Sequence, residues 1–262
     1  MMDLLAIGCG AMVGFTLGLI GGGGSILATP LLLYVVGVSQ PHIAIGTSAL
    51  AVAANAFVNF AGHWRAGNVR WGNAIVFAAF GVVGAFAGST LGKAFDGQRL
   101  LFLFAVIMVI VGILMLRSGR KVLADIVEAS ANGPAFSPKL AIVALAVGVL
   151  SGFFGIGGGF LIVPGLLFAT GMPLINAIGT SLFAVGAFGL TTALNYAAAG
   201  LVDWKIAGEF ILGGFVGGIF GMKLAFRIAP HKSALNTVFA SIIFVVAAYM
   251  VYRTAGAWMK SA

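Results

Sequence analysis

Residues 17–30 read Leu-Gly-Leu-Ile-Gly-Gly-Gly-Gly-Ser-Ile-Leu-Ala-Thr-Pro, and residues 151–164 read Ser-Gly-Phe-Phe-Gly-Ile-Gly-Gly-Gly-Phe-Leu-Ile-Val-Pro. Four glycines and the proline of the two stretches coincide at a constant spacing of 134 residues, as between Gly18 and Gly152. A Gly-Thr-Ser tripeptide follows each stretch, ending at Ser48 and at Ser181. Glycine-broken apolar segments at matching places in two halves of a membrane protein point to the binding site of a transporter.

The composition predicts a membrane protein. The chain is 61% hydrophobic and 8% charged, and its mean hydropathy is +1.14. A soluble domain carries about 25% charged residues, so lipid must cover much of this apolar surface. The net charge of +8 comes from Lys and Arg residues at the ends of apolar segments, where they orient and anchor membrane helices. We therefore expect the bilayer, and no nucleic acid, as a partner.

The apolar segments define the expected fold. They cover approximately residues 4–36, 42–63, 71–93, 100–116, 140–169, 173–199, 206–226 and 234–252. Six fit one membrane crossing of about 20 residues, whereas the first and fifth are too long and must bend at glycines 21–24 and 155–159. The prediction is an all-α integral membrane protein of about eight hydrophobic segments. It forms one transmembrane domain, 1–262, whose repeat 1 (about 4–117) and repeat 2 (about 139–253) are joined by a polar loop, 118–138.

The sequence leaves two topologies open. If each broken segment crosses the membrane, the repeats are parallel and there are eight crossings; if each is a re-entrant hairpin, the repeats are inverted. The Lys and Arg residues divide nine against five in both cases, and both place loop 118–138 in the cytoplasm of a multi-pass cell-membrane protein. Residues 4–20 are nearly long enough to span on their own, which favours eight crossings.

A second set of small residues also repeats. Gly84, Gly88 and Gly92 correspond to Gly217, Gly221 and Ala225 at a spacing of 133 residues. Small residues at every fourth position let membrane helices approach closely. The ladder therefore packs either the two halves together or two copies of the chain, and a homodimer stays an open alternative.

The glycine breaks are the expected substrate site. A helix that starts inside the membrane presents free N–H groups and the positive end of its dipole, which suits an anion, and glycine keeps side chains out of the ligand's space. Hydroxyl groups of the tripeptides add donors. The predicted substrate-binding residues are Gly21, Gly22, Gly23, Gly24, Ser25, Thr47, Ser48, Gly155, Gly157, Gly158, Gly159, Thr180 and Ser181. The alternative is that the glycines only permit tight packing and the hydroxyls bond their own helices.

Other polar residues in or near the segments are candidates for gating or for lining the path: Asn55, Asn59, His63, Arg65 and Asn195. No Cys, His, Asp or Glu cluster has metal-ligand spacing, and no acidic residue follows the glycines as a dinucleotide site requires. We expect no metal, no cofactor and no enzymatic activity, with an intramembrane enzyme as the main alternative of a different class.

The doubled glycine motif, its prolines and the two Gly-Thr-Ser tripeptides resemble the sulfite exporter TauE/SafE family over about residues 4–253. That resemblance implies an integral membrane permease that exports small sulfur-containing anions, sulfite or organosulfonates such as sulfoacetate, by alternating access. Another small organic anion is the alternative substrate. Ser25 and His63 are replaced in the second repeat by Gly159 and Tyr196, so any side-chain contact to the substrate there would be asymmetric.

Overall fold

The computed structural model describes residues 2–118, 137–155 and 159–228, and within these ranges the protein is helical without strands. The helices are α1 (Met2–Ile20), α2 (Ala28–Leu31), α3 (Pro41–Arg65), α4 (Trp71–Ala94), α5 (Gly97–Ser118), α6 (Pro138–Phe154), α7 (Gly159–Thr170), α8 (Leu174–Ala197) and α9 (Trp204–Ile228). Five helical segments in the described ranges are long and apolar enough to cross a membrane. The all-α membrane fold is therefore confirmed. Loop residues 119–136 and the end of repeat 2 lie outside the described residues.

Both long apolar segments break at the predicted glycines. Helix α1 ends at Ile20, and Gly21 adopts a left-handed φ of 71°. Helix α6 ends at Phe154, and Gly155 adopts the same conformation with a φ of 65°. Only glycine takes this conformation without a steric cost, which explains why both repeats break where they do.

The two repeats continue differently after the break. In repeat 1, a 3₁₀ helix (Gly21–Leu27), α2 and a π-helical turn (Leu32–Val36) follow one another. In repeat 2, α7 runs from Gly159 to Thr170 and includes Pro164. Pro30 lies inside the short helix α2. Each proline removes one backbone donor from its helix, as is common in membrane helices that rely on neighbours to satisfy the freed carbonyl.

Each broken segment folds back on itself. Gly24 lies against the backbone of Thr16 and Leu17, and the Thr16 Oγ1 is 3.4 Å from the Gly24 carbonyl oxygen. Residues eight apart in a straight helix would be about 12 Å apart. In repeat 2, Lys139 at the start of α6 donates a 2.7 Å hydrogen bond to the carbonyl of Phe168 at the end of α7. Both segments are re-entrant hairpins, so the expectation of eight crossings is wrong.

The repeats are inverted because their equivalent helices α3 and α8 run antiparallel. Near one end, Gly46 of α3 lies against the carbonyl of Leu201, just beyond α8. Near the other end, Gly179 of α8 lies against the carbonyl of Asn68, just beyond α3. A local two-fold relation thus places these buried helices side by side at the centre of the fold.

The glycine ladders join the two halves. A Cβ atom at Gly84, Gly88 or Gly92 of α4 would meet backbone carbonyls of α6. On the other side of the fold, a Cβ atom at Gly217 or Gly221 of α9 would meet backbone carbonyls of α1. Each ladder helix therefore packs against a helix of the other half, and we call the α4–α6 and α1–α9 contacts the two seams. These contacts give the glycine ladder a role that requires no second copy of the chain.

Candidate substrate site

The two hairpins meet at a backbone-to-backbone contact just beyond their breaks. A Cβ atom at Gly22 would lie 2.6 Å from the Cα atom of Gly159, and a Cβ atom at Gly159 would meet the carbonyl of Gly22. The same Cβ at Gly22 would lie 2.7 Å from a methyl group of Val185, in the middle of α8. We call this contact the hairpin junction. Only glycines at both positions allow it.

Serine hydroxyls of the two central helices bond the first hairpin. The Gly22 N–H donates a 3.3 Å hydrogen bond to Ser181 Oγ, which donates a 2.7 Å bond to the carbonyl of Ile178. Ser48 Oγ lies 2.8 Å from Thr29 Oγ1 and donates to the carbonyl of Ile45. These serines are fully buried. Ser48 of α3 and Ser181 of α8 are therefore both brought to the first hairpin.

The threonines of the tripeptides bind the opposite half instead of the hairpins. Thr47 Oγ1 accepts a 2.9 Å hydrogen bond from the N–H of Asp203, ahead of α9. Thr180 Oγ1 accepts a 3.0 Å bond from the N–H of Arg70, ahead of α4. The two bonds are related by the local two-fold relation, and each stabilises the loop that leads into a seam helix. Their hydroxyl hydrogens are still able to donate to another acceptor.

The structure describes only some of the remaining predicted residues of the two hairpins. Gly21, Gly23, Gly24 and Ser25 are buried in the first hairpin, where Ser25 Oγ donates to the carbonyl of Gly22 at 2.9 Å. Gly155 lies against Ile45, as its counterpart Gly21 lies against Ile178. Gly157 and Gly158 lie outside the described residues. The role of this set in substrate binding stays a prediction.

Three of the expected lining residues share one face of α3. Asn55, Asn59 and His63 follow one another at a spacing of four, and each is at most 2% exposed. They point at the seam of α1 and α9, where Gly214 lies against the Asn55 amide. Arg65, in contrast, is exposed at the end of α3.

Asn195 belongs to a different cluster. It accepts hydrogen bonds from Lys93 Nζ at its side-chain and backbone oxygens, at 2.8 and 2.9 Å. Its amide nitrogen donates to Ser89 and Thr90. This cluster links the end of α4 to the end of α8, away from Asn55 and Asn59.

The sequence interpretation overlooked several buried hydroxyls, among them those of Thr29, Ser151 and Thr192. Thr29 bonds Ser48 in the first hairpin, and its position directly before Pro30 in the broken segment was the available signal. Ser151 in α6 and Thr192 in α8 are fully buried. Thr192 is 133 residues from Asn59, so the repeat spacing could have singled it out.

No charged side chain contributes to the contacts of the hairpin junction that the described residues make. The acidic residues in these ranges, Asp3, Asp96, Asp203 and Glu209, lie at or near helix ends. No three His, Cys, Asp or Glu side chains of the described ranges are grouped as a metal site would require. The arrangement offers backbone amides and neutral hydroxyls, which can solvate an anion by hydrogen bonding.

Inverted halves with paired broken segments are typical of one class of polytopic helical proteins, the membrane transporters. Within that class, the chain belongs to the sulfite exporter TauE/SafE family, whose family model matches residues 6–250. The chain is 57% identical over 251 residues to a probable membrane transporter protein of Xylella fastidiosa strain 9a5c, covering 96% of this chain and 95% of the relative.

More distant relatives have similar names. The probable membrane transporter protein YdhB of Bacillus subtilis is 27% identical over 230 residues, or 87% of this chain and 92% of the relative. The sulfite exporter TauE/SafE family protein 2 of Arabidopsis thaliana is 31% identical over 132 residues, which is 50% of this chain and 29% of that protein. No solved structure matches the chain significantly. The protein is therefore a multi-pass membrane transporter.

Proposed function

We propose that this transporter exports small sulfur-containing anions, sulfite or organosulfonates such as sulfoacetate, across the cell membrane by alternating access. The family name supports a sulfur oxyanion as the substrate class. Another small organic anion is the alternative. We also propose that the anion is moved without a chemical reaction, because the described site residues include no nucleophile with a general base beside it.

The hairpin junction is the observation that carries the proposed site. Here Gly22 of one repeat and Gly159 of the other are in backbone contact, and Ser181 holds the Gly22 N–H. An anion placed between the hairpins would compete with Ser181 for the Gly22 N–H, and it would meet no fixed cation that would slow its release. Because the two backbones touch, binding requires the hairpins to move apart, and that movement couples substrate entry to a change of conformation.

The proposed direction is export with loop 118–138 in the cytoplasm. An anion leaving a cell with a negative interior is driven by about 2.3 kcal/mol per charge per 100 mV. All six acidic residues of the sequence lie at or near the ends of apolar segments, so none is placed as a mid-membrane proton carrier. We therefore propose potential-driven flux without proton coupling.

Reconstituted liposomes test the proposal. Wild-type protein is to be assayed for flux of sulfite, sulfoacetate, sulfate, acetate and Na⁺, with protein-free vesicles as the background. We expect sulfite or sulfoacetate to exceed sulfate, acetate and Na⁺. Flux of acetate alone would establish the alternative substrate, and flux of Na⁺ without any anion would refute an anion site.

A paired substitution ties the flux to the junction. Gly22→Ala adds a methyl group where the Gly159 backbone lies, whereas Gly165→Ala adds one 3.2 Å from a Val143 methyl group that can shift. We expect Gly22→Ala to lose most of the anion flux and Gly165→Ala to keep it. Equal flux in both variants would remove the junction from the mechanism.

A further inference from the structure

One face of α3 carries a buried polar track. The side-chain amides of Asn55 and Asn59 lie against glycine backbone. Asn55 contacts Gly214, and Asn59 contacts Gly18 and Gly218. His63 continues the same face one turn later and lies in the last turn of α3. We call these three residues the α3 track. It runs from the middle of α3 to the end of that helix.

The equivalent face of α8 carries a second track. Thr192 and Tyr196 stand 133 residues from Asn59 and His63, and both are fully buried. Ser151, equally buried, lies on the neighbouring helix α6 beside Gly152. We call Thr192, Tyr196 and Ser151 the α8 track. Tyr196 lies in the last turn of α8, where Gly46 contacts its Cβ atom.

Several polar atoms of the two tracks have no hydrogen-bond partner among the described residues. They are both amide atoms of Asn55 and the hydroxyl oxygens of Ser151, Thr192 and Tyr196. Membrane helices satisfy a threonine hydroxyl easily, as adjacent Thr191 shows by donating a 2.8 Å bond to the carbonyl of Ala187. Buried polar groups without partners are costly and call for a specific explanation.

The tracks lead to opposite ends of the molecule. Helices α3 and α8 are antiparallel, and each track ends in the last turn of its own helix. The middle of α8, at Val185, contacts Gly22 of the hairpin junction, and Asn59 of α3 lies against Gly18, four residues before Gly22. One track therefore extends from the region of the junction towards each face of the membrane.

We infer that the α3 track and the α8 track are the two access paths between the hairpin junction and the opposite membrane faces. This inference rests on the proposed transport of anions. The unpaired hydroxyls and the Asn55 amide become donors to a passing oxyanion, or to the water around it, when the path on that side opens. Because the donors are neutral, each binds the oxyanion weakly enough to pass it on.

The α8 track is tested by paired removal of single hydroxyls. Thr192→Val and Tyr196→Phe each delete an oxygen that has no described partner, whereas Thr191→Val deletes one that bonds its own helix. In liposomes loaded with sulfite or sulfoacetate, we expect Thr192→Val and Tyr196→Phe to slow flux about tenfold without lowering Tm. Thr191→Val is expected to keep wild-type flux.

Three results would overturn the assignment. Wild-type flux in both Thr192→Val and Tyr196→Phe would show that these hydroxyls do not meet the substrate. An equal loss in Thr191→Val would show a general sensitivity of α8. A loss of flux that matches a loss of Tm would make the two residues part of the scaffold.

A second measurement does not depend on which substrate is moved. Asn59→Cys and Thr192→Cys, each in a Cys9→Ala background, are exposed to a membrane-impermeant thiol reagent added to one side of sealed vesicles. We expect the two cysteines to react from opposite sides. Reaction from the same side, or from neither, refutes the access paths even if anion flux is found. Reaction from opposite sides with no flux of any tested anion would instead refute the proposed substrate.

Discussion

In the first half of the molecule, α3 turns Asn55, Asn59 and His63 towards the seam of α1 and α9. In the second half, the equivalent residues of α8 are Phe188, Thr192 and Tyr196, and the Phe188 ring lies against Gly81 in the seam of α6 and α4. The backbone contacts of the two seams correspond closely, whereas the side chains that face them do not. Symmetry is thus kept where helix backbones are in contact, and it is lost in the polar side chains of the two central helices.

The strongest test of this comparison is whether the two repeats have opposite orientations in the membrane. Ala66 and Ala199 are equivalent, exposed residues in the loops after α3 and α8. Ala66→Cys and Ala199→Cys, each in a Cys9→Ala background, should react with an impermeant reagent only from opposite sides of sealed vesicles. Reaction from one common side would restore parallel repeats and eight crossings.

The seam glycines should tolerate no side chain in either half. Gly14 lies against Gly214, and the equivalent Gly148 lies against Gly81. Gly14→Leu and Gly148→Leu should each lower the free energy of unfolding by more than about 3 kcal/mol, because the facing backbone cannot move aside as a side chain can. Size-exclusion profiles and Tm in detergent measure the loss of folded protein.

Gly8→Leu is the matched control for the seam, because no atom lies within 4 Å of a Cβ placed at Gly8 of the same helix α1. It should fold like the wild type. If Gly14→Leu and Gly148→Leu differ widely in Tm, the two seams are not equivalent and the symmetry of the scaffold is only approximate.

The threonine hydrogen bonds between the halves should contribute smaller and equal amounts to the free energy of unfolding. Thr47→Val and Thr180→Val each leave a loop N–H without its acceptor, which costs about 1–3 kcal/mol where the group is buried. Thermal unfolding in detergent should show two similar losses of Tm, with Thr191→Val as the control whose hydroxyl bonds only its own helix. An effect confined to one threonine would show that one half holds the loop of the other more tightly.

The sequence was informative where backbone geometry demanded one residue type. The breaks at Gly21 and Gly155 were predicted correctly, because an overlong apolar segment must bend and only glycine accepts a left-handed turn without a penalty. The ladder of α4 and α9 was also recognised from spacing alone. Its partner was not, because a row of small residues does not specify which helix it faces.

The topology could not be read from the sequence, since hairpin and crossing bury similar apolar lengths and leave the same balance of positive charges on the two sides. Contacts far apart along the chain decide it, such as Lys139 with Phe168. The contacts of the candidate site residues could be anticipated only in part for the same reason. Ser181 contacts Gly22 because the repeats are inverted. Thr47 and Thr180 instead bond loops of the opposite half, and no local sequence pattern predicts where those loops lie.

The packing of α1 on α9 has a consequence for synthesis. Helix α1 ends at Ile20 and its seam partner α9 begins at Trp204, so about 180 residues must be made before α1 can bury its glycines. At about 5–20 residues per second, this interval lasts about 10–40 s. During that time the first helix is a newly inserted segment without its partner. Cellular factors that shield such segments in the bilayer should therefore act on α1 for longer than on α6, whose partner α4 has already been made.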